Sequence, residues 1–220
     1  MSTPLFAGAI LDLDGTIVQS EHLHRLSWTA PLARLGITVD DETYFRDFAG
    51  KPGLQIIRDH LDITDPDKSE QLYQDVTAAY WELAEHAVQP TVGLMPFLHA
   101  INSVRTAVCT SARRDSAMRM LDLLGLTPLF TAVVTASDVT HGKPDPEPFV
   151  LAATRIEIAP EQCVAFEDSR NGLQSARTAG MHCVGIGEGR SLFHDAADLW
   201  IEDFTDPTLL ALFGKADLPS

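Results

Sequence analysis

Asp12-Leu13-Asp14-Gly15-Thr16 closes the apolar run Phe6–Leu11, so two carboxylates stand where a buried strand should end. In open α/β sheets, ligands bind beyond the carboxyl ends of the strands. Two acids this close repel each other and resist desolvation, which favours a shared cation or proton. A solvated acidic turn is the plain alternative. A second acidic pair, Glu167-Asp168, follows another apolar run, Cys163–Phe166. Four carboxylates drawn to one sheet edge require a divalent cation, and oxygen ligands supplemented by water match Mg2+.

Two further segments carry groups suited to an anion. Thr110-Ser111 follows the run Val104–Cys109 and precedes a helix expected to open at Ala112-Arg113-Arg114. Hydroxyls and free N–H groups at a helix N-terminus form an anion site, although the same dipeptide serves equally well as an N-cap. In Gly142-Lys143-Pro144-Asp145-Pro146, Pro144 holds Lys143 extended. An ammonium fixed in this way can meet phosphate oxygens as a point charge, whereas a surface lysine in a polar turn is the alternative.

The elements that must position these groups alternate in type. Strands are expected at the first apolar run and at Arg105–Thr110, Ala132–Ala136, Gln162–Glu167, His182–Ile186 and Leu199–Ile201. Helices are expected between them at Met95–Asn102, Arg114–Leu124, Pro146–Arg155, Asn171–Ala179 and Ser191–Ala196. This β/α alternation implies a Rossmann-like α/β core, a parallel sheet with helices on both faces. Between the first strand and the rest, the pattern is purely helical. Leu23, Leu26, Ala30, Ala33 and Leu35 outline one helix closed by Gly36; Leu54, Ile57 and Leu61 outline a second, and Ser69–Ala87 a long third. The expectation is a core of residues 1–18 and 92–220, with an all-helical cap domain, 19–91, inserted after the first strand.

Composition narrows the partners. Sixteen Lys and Arg against 31 Asp and Glu leave a formal charge of −15, which argues against nucleic acid and anionic membranes. No apolar stretch approaches the ~18–20 residues of a membrane span. Met1–Leu5 lacks the basic n-region of a secretory signal, and Cys109, Cys163 and Cys183 lie in apolar strand-like runs, as small buried hydrophobes do. A cytoplasmic location is expected, as a monomer or weak homodimer.

The ordered set DxDGT, Thr-Ser after a strand, Lys in G-K-P-D-P, then E-D-S resembles the haloacid dehalogenase (HAD) superfamily. More narrowly, it is similar to the β-phosphoglucomutase-like phosphatase branch, whose helical cap follows the first motif. The resemblance implies that Asp12 is a nucleophile forming an aspartyl-phosphate and Asp14 the general acid and base. It also implies Mg2+ held by Asp12, the Asp14 carbonyl and Asp168, with Glu167 as a ligand or its support. Thr110, Ser111 and Lys143 would bind the phosphoryl oxygens.

Dehalogenases of the superfamily replace the second aspartate, so Asp14 argues against halide release. A phosphatase or a phosphomutase remains. A mutase needs cations in the cap for a second phosphate, and here Gly50-Lys51-Pro52-Gly53 offers only Lys51. Hydrolysis of a small sugar or polyol monophosphate is therefore favoured, with Ser20, His24 and Lys51 as the cap residues nearest the substrate. A β-phosphoglucomutase-type reaction is the alternative. A phospho-accepting or binding module without catalysis is the third reading, disfavoured by the helical insertion and by Asp14.

Overall fold

The computed structural model describes residues 6–48, 51, 53–187 and 194–214. They divide into two compact units, one running up to Gln19 and from Gln89 onward, the other Ser20–Val88.

The first unit is built on a six-stranded parallel sheet in the order β3-β2-β1-β4-β5-β6. Its strands are β1 (Gly8–Leu11), β2 (Arg105–Cys109), β3 (Ala132–Val134), β4 (Cys163–Glu167), β5 (His182–Ile186) and β6 (Leu199–Ile201). β1 lies centrally, and Leu11 pairs with Val108 of β2 on one side and Phe166 of β4 on the other. The strand order reverses there, so the carboxyl ends of β2, β1 and β4 stand side by side at the crevice where ligands collect.

All four residues of β1 and all five of β4 are buried, as strands covered on both faces must be. Successive side chains point to opposite faces. On one face Ile10, Ala107 and Ala165 join Phe149 and Leu173, from helices α7 (Glu147–Arg155) and α8 (Arg170–Thr178). On the other, Phe166 meets Phe97 edge-on, with ring centroids 5.4 Å apart. Phe97 lies on α5 (Leu94–Ala100) and stacks on Phe204 at 5.2 Å. Helix α6 (Arg114–Leu123) follows β2, and α9 (Leu209–Leu212) is the last described helix. Of the helix expected at Ser191–Ala196, residues 191–193 lie outside the described residues, and His194–Ala196 forms a 3-10 turn.

The second unit is helical: α1 (Glu21–Arg34), α2 (Asp41–Thr43) running into a π-helical segment Tyr44–Phe48, α3 (Gly53–His60) and α4 (Pro66–Ala87). Helix α4 begins a turn earlier than its apolar pattern suggests. Asp65 accepts N–H bonds from Asp67 and Lys68, and Pro66 suits the first helical position. Gly36 follows α1 with φ +73°.

The expected apolar stripe of α1 requires correction. Leu26 and Leu35 are 42% and 53% exposed, and Ala30 and Ala33 also face solvent. The buried stripe is Leu23, Ser27, Trp28 and Leu32, because Trp28 and Leu32 anchor the unit's core with Phe48, Ile57 and Val76. Within α3, Ile56 and Ile57 are buried, while Leu54 is exposed.

Gln19 and residues 89–91, expected with the helical insertion, fall in the sheet unit. The backbone N–H of Thr91 donates to Ile17 O at 2.9 Å, and the Gln19 side chain donates to Gly15 O at 3.0 Å. Val18 also bridges to Pro90. These bonds tie both connecting segments to the turn after β1.

Candidate active site

The expected core residues lie at or just past strand ends, except Lys143, which sits in the loop before α7, beyond β3 and the 3-10 turn Ala136–Asp138. Asp12 continues β1 and donates its N–H to Phe166 O at 2.9 Å, fixing its backbone against β4. The chain then turns back, so that Gly15 N–H reaches Val18 O at 2.7 Å, with Gly15 at φ +82°. A side chain at Gly15 would be strained by that backbone and would also collide: its Cβ would lie 2.0 Å from Asp168 Oδ2. Glycine is what lets this turn meet the end of β4.

Lys143 joins the strand ends. Its Nζ donates to Asp12 Oδ1 at 2.6 Å, to Glu167 Oε1 at 2.5 Å and to the Cys109 carbonyl at 2.8 Å. The ammonium also lies 5.0 Å from the centre of the Phe149 ring. The Lys143–Pro144 peptide is cis. Burial would lower the Lys143 pKa, but Asp12 and Glu167 outweigh it and hold the value well above the ordinary one.

Carboxylate oxygens of Asp12, Glu167 and Asp168 all lie within 4.8 Å of one another. Burial raises the Asp12 pKa well above its ordinary value; Lys143 opposes this, while Glu167 and Asp168 reinforce it. Burial, then Glu167, pushes Asp168 up to about 7, with Asp14 adding to the push. Three carboxylates against one ammonium leave two negative charges in excess, and the donors are all hard oxygens. That deficit and that donor set fit a divalent cation of the Mg2+ type.

Thr110, directly after β2, is buried, and its Oγ1 accepts the N–H of Ala112 at 3.0 Å. The hydroxyl proton is thus available to an oxyanion. Ser111 is exposed, and α6 opens at Arg114, where the helix was expected to begin.

A family model described as haloacid dehalogenase-like hydrolase matches residues 9–186. The chain belongs to the haloacid dehalogenase-like hydrolases. It is 35% identical over 210 residues to the validoxylamine A 7'-phosphate phosphatase of Streptomyces hygroscopicus subsp. limoneus, covering 92% of this chain and 96% of that one. It is 34% identical over 186 residues to the fructose-1-phosphate phosphatase YqaB of Escherichia coli K12, covering 82% and 96%. The β-phosphoglucomutase structure from Clostridium difficile superposes with a TM-score of 0.78 at 19% identity, over 95% of this chain and 97% of that one. This HAD-like hydrolase is therefore an enzyme with named phosphatases among its relatives and a β-phosphoglucomutase-like fold.

The remaining expected site residues of this HAD-like hydrolase belong to the helical unit. Ser20 is buried, and its carbonyl accepts the N–H groups of Leu23 and His24. His24 stacks on Tyr80 with centroids 4.4 Å apart, and Lys51 Nζ lies 3.3 Å from His60 Nε2. Two participants of the core site escaped the sequence reading, and a third, Ser169, was named there only as the last member of the E-D-S motif. The Cys109 carbonyl has no signature, being backbone. Phe149 reads simply as an apolar helix residue. Ser169 could have been found as the N-cap of α8, and its N–H and Oγ also donate to Glu167 Oε2 at 3.0 and 2.9 Å.

Proposed function

We propose that this HAD-like hydrolase is a Mg2+-dependent phosphatase that hydrolyses a small sugar or polyol monophosphate through an aspartyl-phosphate at Asp12. The supporting observation is the 2.6 Å bond between Lys143 Nζ and Asp12 Oδ1, at a buried acid that heads a carboxylate cluster. A buried carboxylate beside a fixed ammonium and a bound dication can approach an anionic phosphate without prohibitive repulsion.

An Asp12 oxygen attacks phosphorus in line, and the bond from phosphorus to the ester oxygen breaks. Asp14 gives its proton to the departing alcohol. Asp14 then takes a proton from water, whose oxygen attacks the phosphorus of the aspartyl-phosphate, releasing phosphate and restoring Asp12. Lys143 and the Thr110 hydroxyl hold phosphoryl oxygens throughout, with Ser111 at the same strand end. Asp12, Asp168 and the Asp14 carbonyl would hold Mg2+, which when bound would neutralise charge at the phosphoryl oxygens.

Both relatives carry names that specify a phosphorylated small molecule, one of them a sugar monophosphate. The −15 charge disfavours nucleic acid as substrate. Selectivity is assigned to the helical unit, with Ser20, His24 and Lys51 as the residues to vary. The test is a panel of phosphate esters assayed for phosphate release with Mg2+ or EDTA, beside Asp12→Asn and Asp14→Asn. Release that requires Mg2+ and both aspartates is expected. Turnover surviving Asp12→Asn would remove the covalent route. Interconversion of glucose 1- and 6-phosphates without phosphate release would favour a mutase.

A further inference from the structure

We infer that the ring of Phe149 is a positioning element for Lys143, a seat on which the ammonium stays while it exchanges its bond to Asp12 for one to a phosphoryl oxygen. The inference rests on the phosphatase reading above and adds to that site a residue with no polar side-chain atom.

Phe149 lies in the first turn of α7, just past the loop that carries Lys143, and is fully buried. The loop is fixed onto that turn. Asp145 donates its N–H to Gly142 O at 3.0 Å, and Glu147 donates its N–H to Asp145 Oδ1 at 2.9 Å. The Ser175 hydroxyl, on α8, donates to Asp145 O. Lys143 Nζ comes to lie over the Phe149 ring, 5.0 Å from its centroid, with the lysine side chain only 5% exposed. An ammonium within about 6 Å of a ring centroid is drawn to the negative face of the ring, most strongly where water is excluded.

Packing alone does not call for an aromatic residue here. Phe149 shares a cluster with Ile10, Ala107, Cys109, Ala165 and Leu173, and among the described buried members of that cluster it is the only aromatic ring. On the opposite face of the sheet, Phe97, Phe166 and Phe204 pack on one another. Phe149 instead presents its ring to a cation.

The two kinds of contact around the ammonium behave differently. Its three N–H donors go to Asp12, Glu167 and the Cys109 carbonyl, and such bonds weaken steeply when misaligned. The ring attracts the charge as a whole, wherever each N–H points. When Asp12 attacks phosphorus, its carboxylate loses its charge to the new P–O bond and no longer holds Lys143 as an anion. The ammonium then turns one N–H toward a phosphoryl oxygen, and turns it back when water restores Asp12. The ring holds the nitrogen through both turns without offering a competing acceptor. Phe149 thus acts through Lys143 and touches no reacting atom.

The test changes ring electronics at nearly constant shape. Mono-, di- and trifluorinated phenylalanines are placed at position 149, and separately cyclohexylalanine, which has no π face. For phosphate release, kcat should fall stepwise with fluorine number, by about 3- to 30-fold in total, the range that cation–ring contacts span. The cyclohexyl variant should be at least as slow as the trifluoro one, and KM should change less than kcat in both. A kcat within twofold of the parent in the trifluoro and cyclohexyl variants would overturn the inference. Thermal unfolding gives a readout that needs no turnover. The trifluoro substitution should lower the melting temperature by a few degrees in the parent and leave it unchanged in Lys143→Met, which keeps the length of the side chain without its charge. An equal drop in both backgrounds would assign the ring to packing and overturn the inference. Should Lys143→Met not fold, the cyclohexyl variant decides, because it preserves bulk and removes only the π face. Coupling in the unfolding cycle with no ester hydrolysed would remove the phosphatase reading and leave the ring–ammonium contact standing, so the two failures are distinct.

Discussion

The Thr91 hydroxyl donates to the Thr16 carbonyl at 2.6 Å, joining residues 75 positions apart at a buried point. The helical unit leaves the sheet unit after Gln19 and returns at Gln89, so this bond seals the base of the insertion. It also braces the turn that carries Asp14.

Thr91→Val keeps the shape of the side chain and strands the Thr16 carbonyl without this donor. A buried acceptor left in this way costs about 1–3 kcal/mol. The urea midpoint should fall accordingly, and Thr91→Ser should recover most of it. If Asp14 depends on this brace, kcat should fall more than KM rises; unchanged kcat would mean that the bond serves stability alone.

Gly15→Ala should be among the most damaging small substitutions. The added methyl would meet Asp168 Oδ2 at 2.0 Å on a backbone with φ +82°, so the turn or the Asp168 carboxylate must move. Strain of this kind costs about 1–3 kcal/mol. A lower melting temperature and weaker Mg2+ binding are expected together. Gly125, also at positive φ (+67°), has open space around its Cβ, and Gly125→Ala should lower stability without changing Mg2+ affinity.

Metal should stabilise the protein in a pH-dependent way. Asp168 titrates near 7 in the fold, against 3.8 ordinarily, because burial and then Glu167 disfavour its charge. Between those values the folded chain retains a proton that the unfolded chain has lost. Stability without metal therefore falls as pH rises through that window. Mg2+ binds the charged form, so its effect on melting temperature should be larger at pH 8 than at pH 6. An equal effect at both pH values would contradict the assignment, and Asp168→Asn should erase the difference.

Asp138 shows the opposite sign. Burial opposes its charge, but hydrogen bonds from Thr135, Arg155 and Arg114 prevail and hold its carboxyl well below the usual carboxylate range. Its side chain is 11% exposed and joins the end of β3 to α6 and α7. The resulting stability is complete above the unfolded-state pKa and is lost as pH falls through and below it. Asp138→Asn should lower stability at pH 7 by about 2–3 kcal/mol, the scale of charged hydrogen bonds. The deficit should shrink in acid; a deficit unchanged down to pH 3 would show that packing, not charge, is responsible.

Much of this protein is written locally. Strand positions came within one or two residues of their observed limits because each is an apolar run ended by a polar cluster, and β1 and β4 are buried on both faces. The core candidates other than Lys143 could be named from sequence because the residue types after an apolar run mark its end, whereas Lys143 was named from its Pro-rich loop. The face of α1 was not visible. Leu23, Leu26 and Leu35 are all apolar, and the choice among them was made by Trp28 and Leu32 packing against Phe48 and Val76.

What neighbours what is a separate matter. Chain order runs β1, β2, β3, β4, whereas the sheet places β1 between β2 and β4. That placement brings Asp12, the Cys109 carbonyl and Glu167 around one ammonium. Residue types announced acids, a lysine and hydroxyls, because composition and period follow from neighbours along the chain. Which groups surround the lysine depends on contacts between segments 24 and 131 residues apart, and these exist only once the strands have ordered.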